Sequence, residues 1–301
     1  MNTLTLETMI HSYDYFLFDC DGTLWSGDLL LPDADQLVNS LTSAGKFVLF
    51  VSNNATVNTD RIIQKASHFG MTIPPEQFIS SGHVLVDVLQ KRNLLSSISS
   101  PSRALVFGEQ ALVSLLESNG LQTCGSPGPD PKDDLFRNSR TPPDDVNIVI
   151  AGFDSQLTYS RIARAQRVLQ SPSVLYIVTN TDPAIPAEGS SQPGAGIVVA
   201  AISTAAEREP DIICGKPSPH MFQYVINRIR SIDQNAANNS EQSIKNKMLF
   251  IGDRLDTDIE FGIKNGFNTL LVLTGVTSSE TAQLSPMKPT YTLSTFSELF
   301  T

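Results

Sequence analysis

Short apolar runs, each closed by a polar or glycine-containing turn, recur along the chain. Residues 15–18 stop at Asp19, 47–51 at Ser52, 212–214 at Gly215-Lys216 and 248–251 at Gly252-Asp253. Runs this short, apolar without alternation, predict strands covered on both faces, as in a parallel sheet. Between them, apolar positions recur with helical spacing over 33–44, 58–69, 82–92, 196–208 and 219–230. Such strand–helix alternation predicts a doubly wound α/β domain with a Rossmann-like parallel sheet.

The middle of the chain reads as a second α/β unit. Residues 104–107, 146–150 and 174–178 have strand character, and 110–118 and 159–170 have helical character. The stretch 125–145 is rich in Pro, Gly and Asp and predicts a long loop. A second polar stretch, 231–247, reads as a surface insertion.

Composition narrows the class. The chain has 301 residues, 41% hydrophobic and 17% charged, enough apolar side chain for a substantial core. A net charge of -10 argues against nucleic acid or an anionic membrane as partner, because both reward clustered Lys and Arg. No run approaches the roughly 18 apolar residues of a membrane span. No basic segment followed by an apolar one suggests a leader, and three scattered cysteines do not make a disulfide framework. The expectation is a cytoplasmic protein.

Four polar clusters fall at the ends of four candidate strands, the edge where open parallel sheets hold ligands. In Asp19-Cys20-Asp21-Gly22-Thr23, the first carboxylate can act as a nucleophile if a metal suppresses its repulsion from phosphate. The second, Asp21, can serve as acid and then base. Ser52, Asn53 and Asn54 offer a neutral phosphate cradle, with simple helix capping as the competing reading. Lys216 can neutralise phosphoryl oxygens, and a Walker A loop is excluded by Pro210 and Pro217. Asp253 suits a hard divalent cation, with Asp258 holding that ion's waters.

Together, DCDGT, the Ser of VSNN, GKPSP and GDRLDTD resemble the four ordered motifs of the haloacid dehalogenase superfamily of phosphohydrolases. The resemblance implies an aspartyl-phosphate intermediate at Asp19, acid/base work by Asp21, and Mg²⁺ held by Asp19, the backbone carbonyl of Asp21, and Asp253. The spacing is 33 residues from Asp19 to Ser52 and 164 from Ser52 to Lys216. It therefore places a cap domain between the second and third motifs. The expected layout is core 1–100, α/β cap 101–190 and core 191–301.

Within the superfamily, DCDGTLW, VSNNAT, TNTDPAIP (179–186) and PGAG (193–196) are similar to the 4-nitrophenylphosphatase and phosphoglycolate phosphatase branch. That similarity implies a cap loop over the substrate, here carrying Asp182 and Ile185, and a homodimer contact through the cap. Pyridoxal phosphatase members have a histidine where Ile185 stands, and phosphoglycolate phosphatase members an aliphatic residue. The expectation is hydrolysis of small phosphorylated metabolites, phosphoglycolate foremost. Pyridoxal phosphate or phosphoprotein hydrolysis on the same scaffold is the alternative, and a catalytically silent phosphate-binding scaffold is the alternative of another class.

Two smaller features have bland readings. Arg161, Arg164 and Arg167 recur every third position and read as a solvated helix face. Cys20 and Cys214 adjoin the clusters and read as small buried strand-end residues, with reversible oxidation as the rival.

Overall fold

The computed structural model describes residues 4–95, 102–125, 146–187 and 190–300. The expected loop over 125–145 lies outside them, save for Gly125. The first third of the chain supplies α1 (Leu6–Ser12), β1 (Tyr15–Phe18), a hairpin of β2 (Trp25–Ser26) and β3 (Leu29–Leu30), α2 (Ala34–Ser43), β4 (Phe47–Ser52), α3 (Thr59–His68), β5 (Phe78–Ser80) and α4 (Ser81–Lys91). The middle contributes β6 (Arg103–Phe107), α5 (Gln110–Ser118), β7 (Gln122–Cys124), β8 (Ile148–Ala151), α6 (Tyr159–Leu169), β9 (Leu175–Val178), a hairpin of β10 (Ala184–Ala187) and β11 (Ser190–Pro193), α7 (Ala195–Ala206) and β12 (Ile212–Ile213). The last third adds α8 (Pro219–Ile232), α9 (Glu241–Lys245), β13 (Met248–Gly252), α10 (Glu260–Asn265), β14 (Asn268–Val272), α11 (Ser279–Leu284) and β15 (Tyr291–Leu293).

Six parallel strands form the core sheet in the order β15-β14-β13-β1-β4-β5. The order reverses at β1, so the crevice opens at its carboxyl end, between β13 and β4. Phe18 lies level with Phe50 on one side and Ile251 on the other, so Asp19, Ser52 and Asp253 emerge at one edge. Side chains of β1 alternate between two apolar clusters. Tyr15 and Leu17 pack with Val84, Leu85, Val225 and Ile226, while Phe16 and Phe18 pack with Met9, Leu37, Leu41 and Ile62. Each large side chain so buried contributes about 1.5–3 kcal/mol. This two-sided cover is why the strand reads as an unbroken apolar run.

The second sheet is five parallel strands in the order β12-β9-β8-β6-β7. One face, with Phe107, Val149 and Tyr176, packs on α6 and α7. The other, with Val106, Ile150 and Ile177, joins the apolar cluster beneath the core sheet.

The topology changes some expectations. Ile212–Ile213 was expected in the core sheet but pairs with β9 in the second one. That sheet therefore extends past residue 190, the expected end of the cap. A two-residue strand carries no pattern that names its partner. The polar stretch 231–247 is mostly exposed, as a surface insertion should be, yet it is anchored: Ala236 and Ile244 are buried, and Asp233 accepts a 2.7 Å bond from the Tyr15 hydroxyl. Arg161 is 2% exposed, pairs with Asp154 at 2.6 Å and lies over the Phe107 ring; only Arg164 and Arg167 keep partial exposure. Strands β5, β14 and β15 and both hairpins add to the elements expected. Among the described residues, no helix is long and apolar enough to cross a membrane.

Candidate active site

Asp19 follows β1 directly and is 9% exposed. The ammonium of Lys216, 2% exposed, lies 2.6 Å from Asp19 Oδ1 and 2.8 Å from Asp258 Oδ1, and it donates a third bond to the Val51 carbonyl at 2.9 Å. Lys216 is held at the mouth of α8, which Ser218 caps and Pro219 opens. Burial works against its charge, but Asp19 and Asp258 outweigh that and hold its pKa above the ordinary range. Burial lifts the Asp19 carboxyl well above its usual range. Lys216 opposes that rise, and Asp258 and Asp253 add to it.

Asp253, fully buried at the end of β13, accepts from the Val276 N–H at 2.7 Å through Oδ2. Burial, then the charge of Asp258, pushes its pKa up to about 7. Asp258 sits in a wide π-type turn, Leu255–Ile259, and its Oδ2 accepts from the backbone N–H groups of Asp253 and Arg254. Asp258 thus locks the loop after β13 while its other oxygen faces Lys216. Asp256 is exposed and pairs with Arg254, as a turn residue would.

Asp21 stands two residues beyond Asp19 on a turn made possible by Gly22, whose φ is +92°. The Trp25 indole N–H donates to Asp21 Oδ1 at 2.9 Å and fixes the carboxylate's orientation. Ser52 Oγ accepts from the Asn54 N–H, leaving its hydroxyl proton free to donate. Asn54 Oδ1 is taken by the Thr56 N–H and hydroxyl, which leaves its Nδ2 for a ligand. Asn53 is different. Its Oδ1 accepts from Lys216 N at 2.7 Å, and its Nδ2 donates to Asp182 Oδ2 at 2.9 Å and Lys216 O at 3.2 Å.

These groups line a cavity of about 200 Å³. Asp19, Asp21, Ser52, Asn54 and Lys216 form its floor, and Glu109, Leu112, Phe153, Asp182 and Ile185 of the cap its roof. Asp253 and Asp258 lie behind the floor. Trp25, Glu109, Phe153 and Arg254 were not among the sequence candidates. Two of them had a signal, Trp25 as the lone tryptophan closing the DCDGTLW run and Arg254 within GDRLDTD.

The donor set fits a divalent cation. Carboxylate oxygens of Asp19, Asp253 and Asp258 lie within 4.8 Å of one another, and all three residues are buried. The Lys216 ammonium contacts two of these three carboxylates, Asp19 and Asp258, and a dication would offset the remaining negative charge. Oxygen-only ligands are the choice of hard cations. Cys20 and Cys214 are buried, and burial pushes both thiols well above their ordinary range, which disfavours the reactive thiolate.

Comparison with known proteins bears on the fold and the class of chemistry. Residues 16–122 match the family described as haloacid dehalogenase-like hydrolase, and 213–299 match a second hydrolase-like model of that kind. Chronophin from Rattus norvegicus is 36% identical over 89% of this chain and 78% of its own length. Phosphoglycolate phosphatase 2 from Arabidopsis thaliana is 31% identical over 99% of this chain and 96% of its own. Among solved structures, a 4-nitrophenylphosphatase from Thermotoga maritima superposes with a TM-score of 0.76, at 27% identity and 97% of both chains. A glycerol phosphate phosphatase from Mycobacterium tuberculosis, solved with magnesium, gives 0.74 at 27% identity over 97% of this chain and 77% of that one.

Proposed function

Since the chain belongs to the haloacid dehalogenase-like hydrolases and is a phosphoric monoester hydrolase of small phosphorylated metabolites, we propose that Asp19 is its nucleophile and Asp21 its acid and base. The observation that carries this reading is the 2.6 Å contact between Asp19 and Lys216, residues 197 positions apart in sequence. Asp19 attacks phosphorus and the ester bond breaks toward the leaving oxygen, which takes the proton of Asp21. Asp21, now ionised and steered by Trp25, removes a proton from the water that attacks the aspartyl phosphate. Phosphate leaves and Asp19 returns to its carboxylate. Lys216, the Ser52 hydroxyl and the Asn54 amide meet the phosphoryl oxygens throughout.

We assign Mg²⁺ as the ion, with Asp19, the Asp21 carbonyl and Asp253 as ligands and Asp258 behind them. When bound it neutralises phosphoryl charge and keeps Asp19 ionised. The small cavity and the aliphatic Ile185 in its roof favour a leaving group of a few carbons, phosphoglycolate foremost. We place a homodimer contact on the cap helices, where Tyr159 and Ile197 are exposed. The test is hydrolysis of 4-nitrophenyl phosphate, phosphoglycolate, glycerol phosphate and pyridoxal phosphate, with and without Mg²⁺. Metal-dependent turnover, fastest on the small esters, is expected. Activity indifferent to chelation, or none on any ester, contradicts the reading.

A further inference from the structure

Lys216 and Asp19 are carried by different sheets. Asp19 ends β1 of the core sheet, whereas Lys216 follows β12, which is paired to β9 in the cap sheet. The backbone continues that pairing, with Gly215 N donating to Thr179 O at 2.6 Å. Lys216 thus stands at the joint between the cap sheet and α8, which packs on the core, and a slip of the cap strains its position against Asp19.

Arg254 reaches the cap hairpin, donating to Ala184 O at 3.1 Å, but the brace that also grips Lys216 is Asn53. Asn53, at the end of core strand β4, is itself anchored by the Ser81 hydroxyl, which donates to Asn53 O at 2.7 Å. Its amide grips Lys216 N and O and reaches Asp182 Oδ2, just before the β10–β11 hairpin. Asp182 Oδ2 also accepts from Asn180 Nδ2 at 2.6 Å, and Asn180 Oδ1 from the Thr179 hydroxyl at 2.7 Å. Both N–H bonds of the Asn53 side-chain amide are consumed, so that side chain has no donor left for a phosphoryl oxygen. The Asp182 carboxylate is held by amide N–H groups, with no ion pair among the described residues.

We propose that Asn53 and Asp182 are positioning residues which, through the backbone of Lys216, set its ammonium against Asp19 once the cap hairpin is seated. The inference rests on the phosphatase reading above and gives both side chains a role other than substrate contact. It differs observably from a leaving-group contact. Lys216 faces the phosphoryl group, which every substrate shares, so loosening the brace slows all substrates alike.

The experiment compares wild type with D182A, N53A, N53D and the exchanged pair N53D/D182N on 4-nitrophenyl phosphate, phosphoglycolate and glycerol phosphate. Because an ångström of misplacement can cost about 100-fold, D182A and N53A are each expected to lose about 10- to 100-fold in kcat, by the same factor on all three esters, with KM little changed. N53D sets two carboxylates against each other. Adding D182N restores the donor–acceptor bond between positions 53 and 182, though not the one to Lys216 O, so the exchanged pair should be several-fold faster than N53D and still slower than wild type. This exchange also guards against alanine variants that do not fold. A D182A loss that differs between esters, or no recovery in the exchanged pair, overturns the inference. An active wild type matched by D182A overturns it alone, whereas a wild type inactive on every ester overturns the phosphatase reading and this one with it.

Discussion

Replacing Gly22 with alanine perturbs Asp253, the proposed metal ligand, without touching it chemically. At φ +92° an alanine incurs a backbone penalty of about 1–2 kcal/mol. The added Cβ would stand 2.6 Å from Asp253 Oδ2 and 2.7 Å from its Cγ. Since non-bonded carbon contacts settle near about 3.5 Å, the carboxylate must withdraw by about 0.9 Å. It has nowhere to go: Gly275 abuts it from another side, where a Cβ would also overlap it, and the Val276 N–H holds its Oδ2. Overpacking of this kind adds about 1–3 kcal/mol of destabilisation. Displacement approaching an ångström at a catalytic ligand predicts a loss of about 100-fold in kcat/KM. Urea denaturation gives the stability change, and 4-nitrophenyl phosphate turnover across a Mg²⁺ titration gives the rest. A G22A enzyme with unaltered turnover and unaltered Mg²⁺ half-saturation would refute the reasoning.

Three further outcomes follow from buried groups. Arg161→Met strands Asp154 in the cap interior and should cost about 3–5 kcal/mol by chemical denaturation, whereas Arg164→Met should stay within about 0.5 kcal/mol; equal effects contradict the assigned burial. Iodoacetamide at mildly alkaline pH should label native protein at Cys124, which is partly exposed, and spare Cys20 and Cys214, whose burial disfavours the thiolate; mass spectrometry showing native labelling at either refutes this. Burial, then the charge of Arg228, lowers the pKa of His83 below its ordinary 6.5. As pH falls below that value the unfolded chain takes up the proton first, so this contribution to stability is full above 6.5 and is lost on acidification through the folded pKa. An imidazole titration by NMR with a midpoint at or above 6.5 contradicts it.

Much of the site was legible because its residues interrupt apolar runs. Asp19, Ser52 and Asp253 each end a strand buried on both faces, and that burial writes itself into sequence as a run without alternation. Lys216 was found by its glycine–lysine cluster, yet its sheet was not, because Ile212–Ile213 is too short to show which partner covers it. Asn53 illustrates a different limit. An amide beside a strand end looks the same in sequence whether its N–H groups meet phosphate or brace a backbone, and only the 2.7 and 2.9 Å partners decide. Arg161 shares its three-residue period with Arg164 and Arg167, but burial depends on the depth of the facing sheet, which periodicity does not encode.

The central claim is that phosphorus passes through Asp19. Acid-quenching the enzyme during turnover of 4-nitrophenyl phosphate with Mg²⁺ and mapping its peptides by mass spectrometry tests it directly. The account predicts the mass of one phosphoryl group on Asp19, absent in an Asp19→Asn variant that folds but does not turn over. A phosphoryl group on any other residue, or near-normal turnover by Asp19→Asn, would contradict it.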